Sequence, residues 1–397
     1  MITMSVTKTI IQKYFFLIIF HLLSLTIATN SSSPVAYEIY PFVRVYKNGT
    51  VERLQGTNIV PASLDPETKI LSKDTYISPK LNNIPARLYR PEHVTVKHKL
   101  PLLVYFHGGA FFTESAFSPT YHNHLNTLVA KANIIAVSVN YRLAPENPLP
   151  ICYQDSWLAL KWVFSHSKGD NGNETWLKKY VDFEQVYLGG DGAGGNIAHN
   201  VAIRAGLDGI GLNGMFLNCP FFWGESPIGN ESKNPIKETW VESIWVHAYP
   251  NSTGFDDPLL NPGLDPNLSE LGCKRVLVYV AEKDILRDRG WYYGHALNES
   301  TWHEGVKVVD MKGEDHVFNL VSPEKPDAKF MLEQLASFLN QREVGDGNYG
   351  MNPHWPTPVP RPITVSGTGG YGYHSDDWIR RAFLFLYFIC LISVLYI

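Results

Sequence analysis

Four short clusters in the chain have the residue types and spacing for acyl or proton-transfer chemistry. His107-Gly108-Gly109-Ala110 follows an apolar run. Its glycines let backbone N–H groups turn toward a ligand oxygen without a Cβ in the way, which is how an oxyanion hole is built. Gly190-Asp191-Gly192-Ala193-Gly194 has the pattern of a nucleophile elbow, the sharp strand-to-helix turn that lifts a central serine above a sheet. Here the central residue is Gly192, which has no hydroxyl, so an acyl-enzyme has no atom to start from. The amide of Ala193, at the start of the following helix, is expected to complete an oxyanion hole with Gly108 and Gly109. Further on stand Asp284 and then His316. Elbow, acid, histidine is the chain order of the α/β-hydrolase triad, so His316 is read as the base and Asp284 as the residue that orients it. Asp288 is the competing carboxylate and ranks second, because it falls inside the next helix.

These clusters need a scaffold that presents them at one edge. Apolar runs at 102–106, 134–139, 185–188, 276–280 and 306–310 read as buried parallel strands. Helical spacing at 156–166, 193–205 and 327–339 lies between and after them. Strands alternating with helices predict an α/β fold with a doubly wound, mostly parallel sheet, whose ligand crevice lies beyond the carboxyl ends of the strands. All four clusters follow such strand ends.

A composition of 45% hydrophobic and 18% charged residues, with a formal charge of −4, fits a folded domain and gives no basic footprint for nucleic acid. A small-molecule ligand suits it better. No cofactor and no metal is expected. Cys152, Cys219 and Cys273 are an odd number in the body, so at most one bridge forms there and buried unpaired thiols are the alternative.

Both ends carry processing signals. Lys8 and Lys13, the apolar run 14–28 and the small-residue context Thr26-Ile27-Ala28 predict a secretory signal peptide over 1–28, with a signal anchor as the alternative. Seven Asn-x-Ser/Thr sites, at Asn30, Asn48, Asn173, Asn230, Asn251, Asn267 and Asn298, point to the same compartment. The hydrolase domain is expected over 29–340, followed by a Gly/Pro/Ser-rich linker over 341–370. Residues 371–397 end in the apolar run 382–397 behind Arg380-Arg381. About 16 residues at 1.5 Å each give roughly 24 Å of helix, short of the ~30 Å hydrocarbon core. Small residues at 366–370, the polar stretch 371–379 and this apolar run follow the order of a glycosylphosphatidylinositol attachment signal, which is expected, with a direct C-terminal anchor as the rival and an incidental tail as the third alternative. Either anchor would attach the protein to a membrane at the cell surface or within the endomembrane system.

The chain resembles the plant carboxylesterases, relatives of the hormone-sensitive lipase group that also include the gibberellin receptors. The resemblance is carried by Phe106-His107-Gly108-Gly109-Ala110-Phe111, Ser118-Pro119-Thr120-Tyr121-His122, Asn140-Tyr141-Arg142-Leu143-Ala144-Pro145-Glu146, Asp155-Ser156-Trp157, Gly195-Asn196-Ile197-Ala198-His199-Asn200 and Val280-Ala281-Glu282-Lys283-Asp284. It implies a small helical cap made from the N-terminal segment and an insertion over 221–255, which holds Trp223, Trp240, Trp245 and Tyr249. Glycine at 192 departs from the family's serine. Three functions are compatible with that departure. The first is serine-independent acid-base chemistry on a small apolar ester or carbonyl compound, such as elimination, cyclisation or hydrolysis. The others are ligand binding without catalysis, as in the gibberellin receptors, and weak esterase activity through water activated by His316.

Overall fold

Runs of β-branched and aromatic residues, closed by turn residues, set the strands. In the computed structural model, which describes residues 33–77, 84–167 and 172–341, they are β1 (Val35–Ile39), β2 (Val43–Tyr46), β3 (Val51–Arg53), β4 (Ile70–Ile77), β5 (Ile84–Pro91), β6 (Leu100–Phe106), β7 (Ile135–Val139), β8 (Val181–Asp191), β9 (Gly214–Asn218), β10 (Arg275–Ala281) and β11 (Gly305–Met311). The helices are α1 (Pro119–Ala132), α2 (Ile151–Phe164), α3 (Thr175–Tyr180), α4 (Ala193–Leu207), α5 (Pro235–Ala248), α6 (Arg287–Glu299), α7 (Phe318–Val321) and α8 (Pro326–Leu339).

Eight strands form one sheet in the order β11-β10-β9-β8-β6-β7-β5-β4. It is parallel from β11 to β7 and antiparallel only at the β7-β5-β4 edge. Alternate residues of the central strands serve opposite faces. Leu102, Val104 and Phe106 of β6 pack with Leu160 of α2, Ile197 of α4 and Leu297 of α6. Leu103 and Tyr105 face the other way, toward Leu125 of α1 and Met331 of α8. Helices thus cover both faces, the doubly wound α/β architecture of the α/β-hydrolase fold.

The structure differs from the sequence expectation in several places. The helix predicted at 156–166 begins earlier, at Ile151, because Pro150 ends the preceding extended chain and Cys152 and Tyr153 already face the core. The strand predicted at 185–188 is longer and reaches Asp191. β9 was not foreseen, since its buried run of Met215, Phe216 and Leu217 is too short to stand out. The cap is not purely helical. α5 forms its upper wall, started by Pro235 and by the Asn234 side chain accepting from the Lys237 amide, while β1, β2 and β3 make a separate antiparallel sheet beside it. Trp240 Nε1 of α5 donates to the Tyr40 carbonyl at 2.8 Å, Phe42 and Trp240 rings lie 5.7 Å apart, and Tyr37 and His247 rings 4.1 Å apart. Trp223 and Trp245 are buried and pack the cap, whereas Trp240 faces the cavity. Cys152, Cys219 and Cys273 are buried and unpaired. The expected leader over 1–28, Asn30, the linker beyond Gln341 and the tail 371–397 lie outside the described residues.

Candidate active site

β8 delivers Asp191 to the sheet edge, and the chain then turns sharply into α4 through Gly192 at φ 50° and ψ −117°. That positive φ is easy for glycine and strained for any residue with a Cβ. The turn is pinned on both sides: the Gly192 amide donates to the Asn218 carbonyl of β9, and the Phe221 amide donates to the Gly192 carbonyl, each at 2.9 Å. A Cβ at 192 would meet only His316, at 3.4 Å from Nε2 and 3.8 Å from Cε1.

Asp284 and His316 come from the turns after β10 and β11, neighbouring parallel strands. His316 Nδ1 lies 2.7 Å from Asp284 Oδ2, and Asp284 Oδ1 accepts from the Leu286 amide at 3.0 Å, so both carboxylate oxygens are engaged and the carboxylate is fixed. The His316 side chain is lodged among protein groups but keeps 39% of its surface accessible where it borders the cavity. Burial by itself would disfavour imidazolium. The Asp284 carboxylate more than reverses this and holds His316 well above the usual histidine value of 6.5. Asp288 is elsewhere: it accepts from the Asn230 amide and pairs with Arg287 at the root of α6. Cys219, at φ 46°, completes a cluster whose Cys219, Asp284 and His316 polar atoms all lie within 4.8 Å of one another. Burial raises its thiol, which keeps it neutral. The Nδ1–Oδ2 distance of 2.7 Å is a hydrogen bond, closer than two ligands on one zinc ion would sit.

The glycine-rich loop corrects one expectation. Gly108 was read as an oxyanion donor, but its amide donates to the Tyr121 hydroxyl at 2.7 Å. Its lack of a Cβ serves close packing, since one there would fall 2.3 Å from Asp191 Oδ2. Tyr121 passes its own hydrogen to Asp191 Oδ2 at 2.8 Å, and Tyr105 donates to Oδ1 at 2.7 Å. Burial pushes the Asp191 carboxyl up to about 6, with the two hydroxyls pulling the other way. Tyr141, to which the sequence assigned no chemistry, stacks on His107 at 4.3 Å and donates to its carbonyl at 2.6 Å. Tyr121, Tyr105 and Tyr141 therefore brace the loop from beneath. The residues left bordering the cavity are Gly109, Ala110 and Ala193, and the Gly109 and Ala110 amides have no partner among the described residues. Ala110 was missed. The signal for it was available, as the fourth residue of the motif is also small.

Above these groups lies a cavity of about 710 Å³, roofed by Phe42, Trp240, Val241 and Ile244 and floored by Gly192 and His316. Its size and largely apolar wall suit a small organic molecule. Besides Asp191, Asp284 and Asp315, a further carboxylic acid, Glu114, borders it and was not foreseen.

Comparison with known proteins agrees with this architecture. A family model for the alpha/beta hydrolase fold matches residues 103–320. An Arabidopsis thaliana protein named probable carboxylesterase 7 is 47% identical over 315 residues, covering 78% of this chain and 99% of the relative. A 2-hydroxyisoflavanone dehydratase of Glycyrrhiza echinata is 44% identical over 323 residues, covering 79% and 98%. Among solved structures, a hyperthermophilic esterase from the archaeon Pyrobaculum calidifontis superposes with a TM-score of 0.58 at 29% identity, covering 68% of this chain and 85% of that one.

Proposed function

Because the chain belongs to the plant carboxylesterase family of α/β hydrolases, we propose that it is an enzyme in which a glycine stands at the family's nucleophile position and the rest of the site performs acid-base chemistry. Its substrate is a small, largely apolar carbonyl compound. The observation that carries this reading is His316: one ring nitrogen is held by Asp284 at 2.7 Å, and the other looks toward the empty side of Gly192. A base so oriented has no hydroxyl to activate, yet it can take a proton from a substrate.

Elimination fits these parts best. In a β-hydroxy carbonyl compound, Nε2 removes the proton from the carbon next to the carbonyl. The Gly109, Ala110 and Ala193 amides hold the charge that develops on the carbonyl oxygen, and the hydroxyl departs. No acyl-enzyme is needed. One relative is named for the dehydration of a 2-hydroxyisoflavanone, which is such a β-hydroxy ketone. Ester hydrolysis is disfavoured by comparison, because loss of the nucleophile in a triad hydrolase costs about 10⁶ in turnover and leaves only ~10³ to 10⁴ over water.

The site is proposed to work in the secretory pathway, attached to a membrane by the C-terminal segment. Asn48, Asn173, Asn230, Asn251, Asn267 and Asn298 are all exposed, as glycan acceptors must be.

The test is to incubate purified protein with a 2-hydroxyisoflavanone and follow the dehydrated product. His316→Ala should abolish product formation while ligand binding stays within about tenfold, since one lost polar contact is worth only ~1 kcal/mol. Unimpaired turnover by His316→Ala would refute the base role. A parent protein that binds without forming product would leave a receptor or carrier.

A further inference from the structure

We propose that Glu114 is the general acid of this site, donating a proton to the departing hydroxyl while His316 removes the carbon-bound proton. The proposal rests on the elimination reading above and names what that reading lacks. Hydroxide is a poor leaving group, and a base with an oxyanion hole does nothing to protonate it.

Glu114 is on the loop that begins at the hole itself. The Phe112 and Thr113 amides both donate to the Gly109 carbonyl at 3.0 Å, so the chain doubles back in a tight turn and brings Glu114 beside the hole glycines. Its backbone sits at φ 71°, a left-handed conformation costly for a non-glycine residue. The segment 53–56 clamps it there. Arg53 Nε donates to the Phe112 carbonyl at 2.8 Å, and Thr113 Oγ1 donates to the Gln55 carbonyl. Gly56 leaves space for the acid, because a Cβ there would fall 2.7 Å from the Glu114 amide and 2.9 Å from Glu114 Cδ.

The carboxyl so held borders the same cavity as His316. Its Oε2 is buried with no well-formed hydrogen bond, and the Ser118 hydroxyl is the polar side chain that interacts with the carboxyl. A carboxylate kept for structure has its oxygens satisfied. Glu114 has one oxygen without a well-formed bond while its side chain borders the cavity, which leaves the carboxyl available to a ligand group. Burial raises it above the usual glutamate value, with the Ser118 hydroxyl pulling the other way. Asp191, Tyr121 and Tyr141 are the titratable groups coupled to it. The Glu114 charge in turn helps to raise Asp191.

The step balances. The C–H and C–O bonds break, a C=C bond forms, the carbon-bound proton goes to His316 Nε2, and the Glu114 proton leaves with the hydroxyl as water. Glu114 ends as carboxylate and His316 as imidazolium, and solvent exchange restores both.

Leaving-group dependence tests this. The probes are a 2-hydroxyisoflavanone and its 2-O-acetyl derivative, whose acetate departs without a proton. Glu114→Gln should lose about 10² to 10⁴ in kcat on the hydroxyl compound with KM within a few-fold, and stay within about tenfold on the acetyl compound. His316→Ala should lose both. Glu114→Gly, which suits the left-handed backbone, should repeat the pattern if Gln disturbs the fold, with thermal unfolding as the check on each. Equal losses on the two compounds, or undiminished dehydration by Glu114→Gln, would overturn the acid role while leaving the base role standing. A parent protein inert to both compounds would bring down the elimination reading and the role of Glu114 with it.

Discussion

Replacing Gly192 by serine asks whether the site still carries a hydrolase geometry. A Cβ at 192 would lie 3.4 Å from His316 Nε2 and meet no other residue within 4 Å, so a serine side chain fits. One bond further out, a staggered rotamer brings Oγ within the ~2.6–3.2 Å at which a base takes a hydroxyl proton. Asp284 is already in place on the opposite ring nitrogen, at 2.7 Å. The cost is conformational: φ 50° with ψ −117° is strained for serine by about 1–3 kcal/mol. A drop of several degrees in Tm is therefore expected, without loss of fold. Nucleophile removal costs about 10⁶ in comparable triads, so even a partly aligned serine should raise hydrolysis of a short p-nitrophenyl ester by ~10³ or more over the parent. Fluorophosphonate probes should label Gly192→Ser at one site and leave the parent unlabelled. A folded Gly192→Ser protein with no gain in hydrolysis and no labelling would refute the geometric reasoning, because His316 and Asp284 already stand at hydrogen-bond distance from each other beside position 192.

The pH profile is a second expectation. The proposed mechanism needs His316 unprotonated and Glu114 protonated, so kcat/KM should follow a bell in pH, Glu114→Gln should remove one limb, and Asp284→Asn should move the limb set by His316 down while lowering the rate. For stability, the contribution of the His316–Asp284 pair is fully present below the unfolded histidine value and is lost as pH rises through the folded one, which pH-dependent chemical denaturation can read. Gly108→Ala should destabilise by at least about 1–3 kcal/mol, because its Cβ would meet Asp191 Oδ2 at 2.3 Å; wild-type stability would show that the loop moves freely. In a plant or insect secretory host the protein should shift on glycosidase treatment and partition with membranes, with phosphatidylinositol-specific phospholipase C releasing it if the anchor is a lipid. Cytosolic recovery without glycan would refute the targeting.

The sheet was legible because its central strands are buried on both faces and so appear as unbroken apolar runs, as at 102–106 and 276–280. β4 and β1 alternate buried and exposed residues or lie largely at the surface, and such short patterns do not separate from loop sequence. The pairing of His316 with Asp284 followed from chain order, because each acid or base sits at the end of its own strand. The fate of the Gly108 amide did not follow, since it depends on Tyr121, thirteen residues away on a helix, reaching back beneath the loop. Glu114 was invisible for a related reason. Its importance comes from a left-handed backbone and the room left by Gly56, 58 positions earlier, and neither has a local pattern.

The roof of the cavity joins two segments 200 positions apart through the Trp240–Tyr40 hydrogen bond, together with the Phe42–Trp240 ring contact. A hydrogen bond of about 0.5–1.5 kcal/mol and a ring pair of similar size, with the Tyr37–His247 ring contact beside them, make a latch of a few contacts. Phe42 and Trp240 also face the cavity, so a ligand that touches both from within strengthens the latch behind itself. Substitutions at Phe42 and Trp240 would consequently be felt first in how long a ligand stays, and only secondarily in the chemistry at the floor.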